Sequence, residues 1–198
     1  LYGLLAYIVW GFLPMYWKLL DTLPAIELLA HRIFWSFFFM IFLVFYTKRW
    51  DEFKSIFRNS RKMKNLFIST TLITINWFIY IWAVNSDRIV EASLGYFITP
   101  IVSFLLGMIV FGEKLEKKQY LAILLTIIGV SILTFQYGKF PYVSFALALS
   151  FGLYGFMKKF ANIDSTIALT AETTILMPII VTYIIYRQAT GIGVLGSA

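Results

Sequence analysis

The chain contains no cysteine and a single histidine, His31. The absence of cysteine excludes disulfides, thiolate metal sites and cysteine nucleophiles, and one histidine cannot form a multi-histidine metal site. The sequence also lacks the G-x-x-x-x-G-K-[ST] motif, so nothing in it indicates ATP hydrolysis. We therefore expect neither a cofactor nor a bound metal.

Charged residues are scarce as well. They make up 14% of the 198 residues, whereas 60% are hydrophobic, and an average soluble domain is about 25% charged. A soluble protein could not bury so much apolar surface, so we predict an all-α polytopic protein in a lipid bilayer. The net charge of +7 would suggest nucleic acid in a soluble domain. Here the basic residues lie between apolar segments, so we expect no nucleic-acid partner.

Seven stretches of the sequence approach the roughly 20 apolar residues that a spanning helix needs. They are residues 1–20, 25–46, 66–84, 92–111, 120–137, 141–157 and 165–186. The long connection between the second and third spans carries Trp50, Phe53 and Phe57 on one face if it is helical. It is either a short interfacial helix lying on anionic lipid or a solvated basic loop.

The lysines and arginines between the spans are unevenly distributed. Twelve fall in the connections that follow the second, fourth and sixth spans, and four fall on the opposite side. Because cytoplasmic loops carry the excess of basic residues, we predict that the N-terminus is cytoplasmic.

Polar residues cluster on one side of the third span: Ser69, Thr70, Thr74, Asn76, Trp77 and Tyr80. Such a side faces either other helices or a water-filled cavity. Asn76 lies near mid-span, where an unpaired amide is costly. It either links two helices by hydrogen bonds or lines a cavity.

Ionisable residues within spans are rarer and more informative. Glu27, His31 and Arg32 fall in the second span and Glu172 in the seventh. Arg32 either binds an anionic group or extends to the interface, and Glu172 either exchanges a proton or bonds to another helix. Pro100, in the fourth span, removes one backbone hydrogen bond and is a candidate hinge.

Two segments five spans apart resemble each other, Trp10–Phe12 with Tyr154–Phe156 and Ala30–His31 with Ala171–Glu172. An odd number of spans inverts the second copy, as in many transporters. We predict a first five-helix repeat at 1–137 and the start of a second, incomplete repeat at 138–198. We expect the chain to be a fragment at both ends, with three further spans after residue 198.

Four stretches, Trp10–Lys18, His31–Phe39, Asn76–Asn85 and Glu91–Pro100, are followed by Gly112–Glu113. They resemble the EamA-type drug/metabolite transporter superfamily, most closely its RarD family of permeases, described as chloramphenicol-sensitivity proteins. The resemblance implies ten helices in two inverted five-helix repeats around a substrate cavity. It also implies cytoplasmic termini and a multi-pass location in the bacterial inner (plasma) membrane.

These observations favour a secondary transporter that moves a small metabolite or drug by alternating access, with proton coupling. Arg32 would bind an anionic substrate group, and His31 or Glu172 would exchange the proton. Polar and aromatic contacts would come from Asn76, Trp77, Tyr80 and, on the fourth span, Tyr96. A homodimer is left open, and a channel is the chief alternative. A lipid-modifying enzyme is disfavoured by one histidine and scattered carboxylates, so we predict that the protein is not an enzyme.

Overall fold

The computed structural model describes residues 2–112, 114–191 and 193. Glu113, the last residue of the Gly112–Glu113 motif, lies outside these described residues. Within them the chain forms eight helices and no strand: α1 (Tyr2–Lys18), α2 (Ala25–Tyr46), α3 (Trp50–Phe57), α4 (Ser60–Asn85), α5 (Ile89–Phe111), α6 (Lys117–Tyr137), α7 (Tyr142–Ala161) and α8 (Ser165–Ala189).

The seven long helices coincide with the seven predicted stretches. In the described part of the chain, five of them are long and apolar enough to cross a membrane, namely α2, α4, α5, α6 and α8. At 17 residues α1 is shorter, and two lysines and several small or polar residues make α7 less apolar. The prediction of an all-α polytopic membrane protein is confirmed.

The basic connection between α2 and α4 does contain a helix, α3. Its apolar face is packed against protein, because Phe53 and Ile56 are buried beside Val44 of α2, Leu66 of α4 and Ile167 of α8. Phe57 alone of the three predicted aromatics is largely exposed, at 41%. Of the two possibilities left open for this connection, the structure contains the helix, and most of its apolar face packs against other helices.

The chain divides into two compact units. One comprises Leu1–Ala25 and Ile73–Phe156, and the other comprises Ile26–Leu72 and Met157–Ala198. These units follow helix packing, whereas the predicted repeats at 1–137 and 138–198 follow sequence similarity. The repeat boundaries therefore stay a prediction.

The core of the first unit joins α5 to α7. Leu94, Ile98 and Ala148 are buried there. Gly152 lets the two helices approach, since a Cβ at this position would lie 2.6 Å from Val102 Cγ1. A Cβ at Gly155 would meet no atom within 4 Å. Of these two glycines on the sixth predicted span, Gly152 allows close helix packing. Gly155 is not needed for it.

Helix ends are set by local chemistry. Gly112 and Gly138 adopt left-handed φ values of 63° and 70° and terminate α5 and α6, a conformation that only glycine adopts cheaply. At the start of α8, the Asp164 carboxylate accepts hydrogen bonds from the backbone N–H groups of Thr166 and Ile167, which caps the helix.

Candidate functional site

Glu172 of α8 is 1% exposed and contacts Ser69 of α4. Ser69 Oγ lies 2.9 Å from Glu172 Oε1 and 2.9 Å from the carbonyl oxygen of Leu66. A hydroxyl has one proton, so it donates to one of these oxygens at a time. When Ser69 donates to Leu66, the contact with Glu172 is a hydrogen bond only if the carboxyl is protonated and donates. The pair therefore has two arrangements that differ by one proton.

Buried threonines of the same two helices keep this part of the second unit polar. Thr70, Thr170 and Thr173 are at most 2% exposed. Each donates its hydroxyl proton to a carbonyl four residues earlier, at 2.8, 2.7 and 3.0 Å respectively. Their oxygens retain lone pairs that can accept a hydrogen bond. The helices thus present acceptors without adding charge.

His31 and Arg32 lie on α2, in the same unit as Glu172, and both are half-buried. One turn before His31, Glu27 is 2% exposed and accepts a hydrogen bond from Arg187 Nη2 at 2.5 Å. This buried ion pair joins the start of α2 to the end of α8. Sequence reasoning placed Glu27 in a span but missed its partner 160 residues away. The binding roles of His31 and Arg32 stay predictions.

Asn76 lies in the first unit, where it links α4 to α7. Its Nδ2 donates to the carbonyl oxygen of Leu147 and to Ser150 Oγ, both at 3.0 Å. It also lines a cavity of about 10 Å³, together with Ala92, Gly95, Tyr96, Thr99, Leu147 and Phe151. That volume holds about one water molecule. Asn76 thus both links two helices by hydrogen bonds and lines a small cavity, and its role in substrate binding stays a prediction.

Tyr96, which lines this cavity, has an aromatic neighbour on α4. Tyr80 is buried and packs edge-to-face on Tyr96, with ring centroids 5.9 Å apart, and Trp77 beside Asn76 is half-buried. Pro100 follows Tyr96 by one turn, inside a continuous α5, and has no N–H to donate to the Tyr96 carbonyl. The structure thus brings Asn76, Tyr80 and Tyr96 together. The hinge role of Pro100 stays a prediction.

An ionic network fixes α3 to the start of α8. Arg49 Nη1 lies 2.9 Å from Asp164 Oδ1, and Arg49 Nη2 lies 2.6 Å from Glu52 Oε2. Burial alone would raise the pKa of Asp164, but the hydrogen bond from Arg49 and those from the backbone N–H groups of α8 lower it. The hydrogen bond from Arg49 likewise lowers the pKa of Glu52.

Apolar helices that bury a carboxylate, an amide and several hydroxyls within their spans are typical of a polytopic membrane protein with a polar functional region. Among the described residues, no three histidine, cysteine or acidic side chains group as metal ligands. Residues 1–135 match the EamA-like transporter family, and the chain belongs to that family.

Curated relatives extend the match along most of the chain. It is 47% identical over 190 residues to the "Uncharacterized transporter YojE" of Bacillus subtilis, which covers 94% of this chain and 63% of the relative. It is 40% identical over 184 residues to "Protein RarD" of Escherichia coli, covering 93% and 62%. Protein RarD of Streptomyces exfoliatus is 40% identical over 191 residues, covering 96% and 61%. No solved structure matches the chain.

The chain thus spans about three-fifths of the length of the relatives it matches. The resemblance to EamA-type and RarD proteins is confirmed, and the family is one of transporters rather than enzymes. The apolar helices and the bacterial relatives together make this a multi-pass protein of the bacterial inner membrane.

Proposed function

We propose that the full-length protein is a secondary transporter that exchanges a small metabolite or drug by alternating access and couples the movement to a proton. Glu172 and Ser69 carry this proposal. The two hydrogen-bond arrangements of the pair, at 2.9 Å to each of two acceptors, differ by one proton on a deeply buried carboxyl. A carrier that moves protons needs such a group within a span.

The proposal assigns substrate contacts to residues within the spans. Arg32 binds an anionic group of the substrate, and His31 is the alternative proton acceptor. In the first unit, Asn76, Trp77, Tyr80 and Tyr96 supply polar and aromatic contacts, supported by the cavity that Asn76 and Tyr96 line. Substrate binding would displace the water for which this cavity has room. It would also use the Asn76 amide, whose nitrogen already donates hydrogen bonds to Leu147 and Ser150.

Counterflow in liposomes tests the coupling role of Glu172. A mixed pool of amino acids, drugs and small metabolites is offered to the reconstituted full-length protein with and without a proton gradient. Glu172→Gln should retain exchange but lose accumulation driven by the gradient, because the amide cannot take up a proton. Asp51→Asn, at an exposed carboxylate of α3, is the control and should behave like the unaltered protein. Gradient-driven accumulation by Glu172→Gln would refute the assignment.

Arg32→Ala tests the binding role. It should raise the substrate concentration for half-maximal exchange by about tenfold or more, the usual effect of losing a charged contact. Arg58→Ala, in the exposed connection before α4, is the matched control. If Arg32→Ala exchanged substrate as the unaltered protein does, the binding role would be rejected. Arg32 would then be a residue that extends to the membrane interface. Conductance that does not saturate would indicate a channel instead.

The orientation and the oligomeric state belong to the same proposal. The excess of basic residues in the connections after α2, α5 and α7 supports a cytoplasmic N-terminus. A homodimer would be recognised by light scattering of the detergent-purified protein, and a monomer mass would exclude it.

A further inference from the structure

Asn76 uses its amide nitrogen to join α4 to α7, and this bond determines where its oxygen points. Nδ2 donates to the Leu147 carbonyl oxygen and to Ser150 Oγ, both at 3.0 Å. The Leu147 carbonyl can only accept, so an amide turned the other way round would place two acceptors against each other. The nitrogen therefore faces α7 with both of its protons in use, and Oδ1 is directed away from these acceptors.

The oxygen of this amide is open to a ligand. Asn76 is 8% exposed, and within the described part of the chain its Oδ1 accepts no hydrogen bond. Oδ1 is not one of the fully buried side-chain atoms that lack a partner, so a small molecule can reach it. Because Asn76 lines the cavity of about 10 Å³ between α4, α5 and α7, we infer that Oδ1 is an acceptor for a molecule in that cavity.

Thr99 of α5 brings a second acceptor to the same cavity. Its hydroxyl donates to the Gly95 carbonyl oxygen at 2.9 Å, so its single proton is in use and its lone pairs remain. The side chains of Asn76 and Thr99 can therefore accept further hydrogen bonds, whereas neither has a proton left to donate.

Charge and size define the chemical group that fits these two acceptors. None of the seven residues that line the cavity is charged, and a cation buried in a span without a partner is costly. A hydroxyl group would bring lone pairs that find no donor on Asn76 or Thr99. The nitrogen of a primary amide carries two N–H donors and no charge, and the cavity has room for about one such atom.

We propose that the substrate carries a neutral –NH2 group, as in a primary amide, which donates hydrogen bonds to Asn76 Oδ1 and Thr99 Oγ in this cavity. The inference rests on the proposed function, because it names the chemical group that this part of the transport site selects. Thr99 joins Asn76 as a specificity-determining residue. Tyr96 and Phe151 also line the cavity, so an aromatic amide is a suitable probe.

Thermal unfolding of the full-length protein in detergent tests the site without any transport assay, because a ligand that binds the folded state raises the unfolding temperature. The two main probes are benzamide and acetophenone, which have the same shape but carry NH2 and CH3 respectively. Benzamide should bind about tenfold more tightly, since acetophenone leaves both acceptors without a donor. Equal binding of the two, or no stabilisation by benzamide, would overturn the proposal. Tighter binding of benzylammonium or of benzyl alcohol would overturn it as well.

Variants of Thr99 separate its hydroxyl from its shape. Thr99→Val keeps the volume but removes the acceptor, so it should reduce the preference for benzamide over acetophenone about fivefold. Thr99→Ser keeps the hydroxyl and should retain the preference. Thr126→Val is the matched control on α6, where the hydroxyl makes the same kind of bond to the Ala122 carbonyl oxygen, and it should also retain the preference. An unchanged preference in Thr99→Val would contradict a site with two acceptors.

Counterflow in liposomes distinguishes this inference from the proposed function. If Thr99 controls the preference for benzamide but the reconstituted protein exchanges no solute, the transporter proposal fails and the binding site for an –NH2 group stands. If the protein exchanges a substrate that has no neutral N–H donor, the transporter proposal stands and the –NH2 site is refuted.

Discussion

Gly152 determines how closely α5 and α7 approach each other in the first unit. The Cβ of any larger residue would lie 2.6 Å from Val102 Cγ1 and 3.2 Å from Val102 Cβ. Valine is branched at Cβ and cannot rotate away cheaply. The close contact between the two helices therefore requires a residue without a side chain at position 152.

Gly152→Ala should destabilise the folded protein by about 1–3 kcal/mol, the usual cost of overpacking a well-fitted contact. Thermal unfolding followed by circular dichroism in detergent would measure it. Gly155→Ala is the matched control on the same helix and should be nearly neutral, because a Cβ there meets no atom within 4 Å. The double variant Gly152→Ala/Val102→Ala should regain stability, since the two residues share one contact. Equal stability of the two single variants would contradict the packing argument.

Single-residue burial was largely predictable where a helix has a clear polar side. Ser69, Thr70, Asn76 and Tyr80 are buried, whereas Ile75 on the opposite side is 46% exposed. The 3.6-residue period fixes which residues share a face. It does not say which helix lies opposite, so neither Glu172 nor Leu147 could be named as a partner.

Helix α3 is held by its apolar face and by its ionic link to α8. Phe53 and Ile56 fill the core of the second unit, while Arg49 joins Glu52 to Asp164 at the N-terminus of α8. The basic connection therefore includes a fixed helix, which was one of the two possibilities that the aromatic pattern left open.

The link between α3 and α8 should weaken in acid. The pKa values of Asp164 and Glu52 are lowered in the folded protein. Their contribution is therefore complete above their ordinary values, about 4, and is lost as the pH falls through the lowered values.

Asp164→Asn isolates the charge at this link, because asparagine also caps helices well. At pH 7 it should lower the unfolding temperature by about 1–3 °C, as expected for a partly exposed ion pair. The difference from the unaltered protein should shrink toward pH 3. Asp51→Asn, at an exposed carboxylate of α3, should show no such pH-dependent difference. A difference of constant size from pH 7 to pH 3 would argue against the charge effect.

At the scale of the whole molecule, the absence of cysteine allows the predicted orientation to be tested with single introduced thiols. Ser60→Cys lies at the first residue of α4, next to the basic connection, and Ser86→Cys lies between α4 and α5; both positions are exposed. In intact cells an impermeant maleimide should label Ser86→Cys, and Ser60→Cys should react only after permeabilisation. A permeant maleimide should label both. The reverse pattern would place the N-terminus outside.

The number and limits of the helices could be predicted because apolar length is a local property. The links between helices could not. Glu172 meets Ser69 across 103 residues, and Arg49 meets Asp164 across 115. Such pairs depend on which helices pack together, and the local pattern of residues along the chain does not show that. Some ion pairs three residues apart did have a local signal that was overlooked, namely Lys18–Asp21, Arg49–Glu52 and Arg88–Glu91.

The threonine bonds of α8 have a mechanical consequence. Thr170, Thr173 and Thr174 return their hydroxyl protons to the preceding turn, and Thr182 does so onto Pro178. Side chains bonded in this way weaken the backbone hydrogen bonds of a helix and bend it. Pro178 removes one more of these hydrogen bonds, because it has no N–H. The helix that carries Glu172 consequently has low bending stiffness over 170–182. It can flex elastically there while the carbonyls of Thr166, Leu169, Thr170 and Pro178 keep their hydroxyl donors.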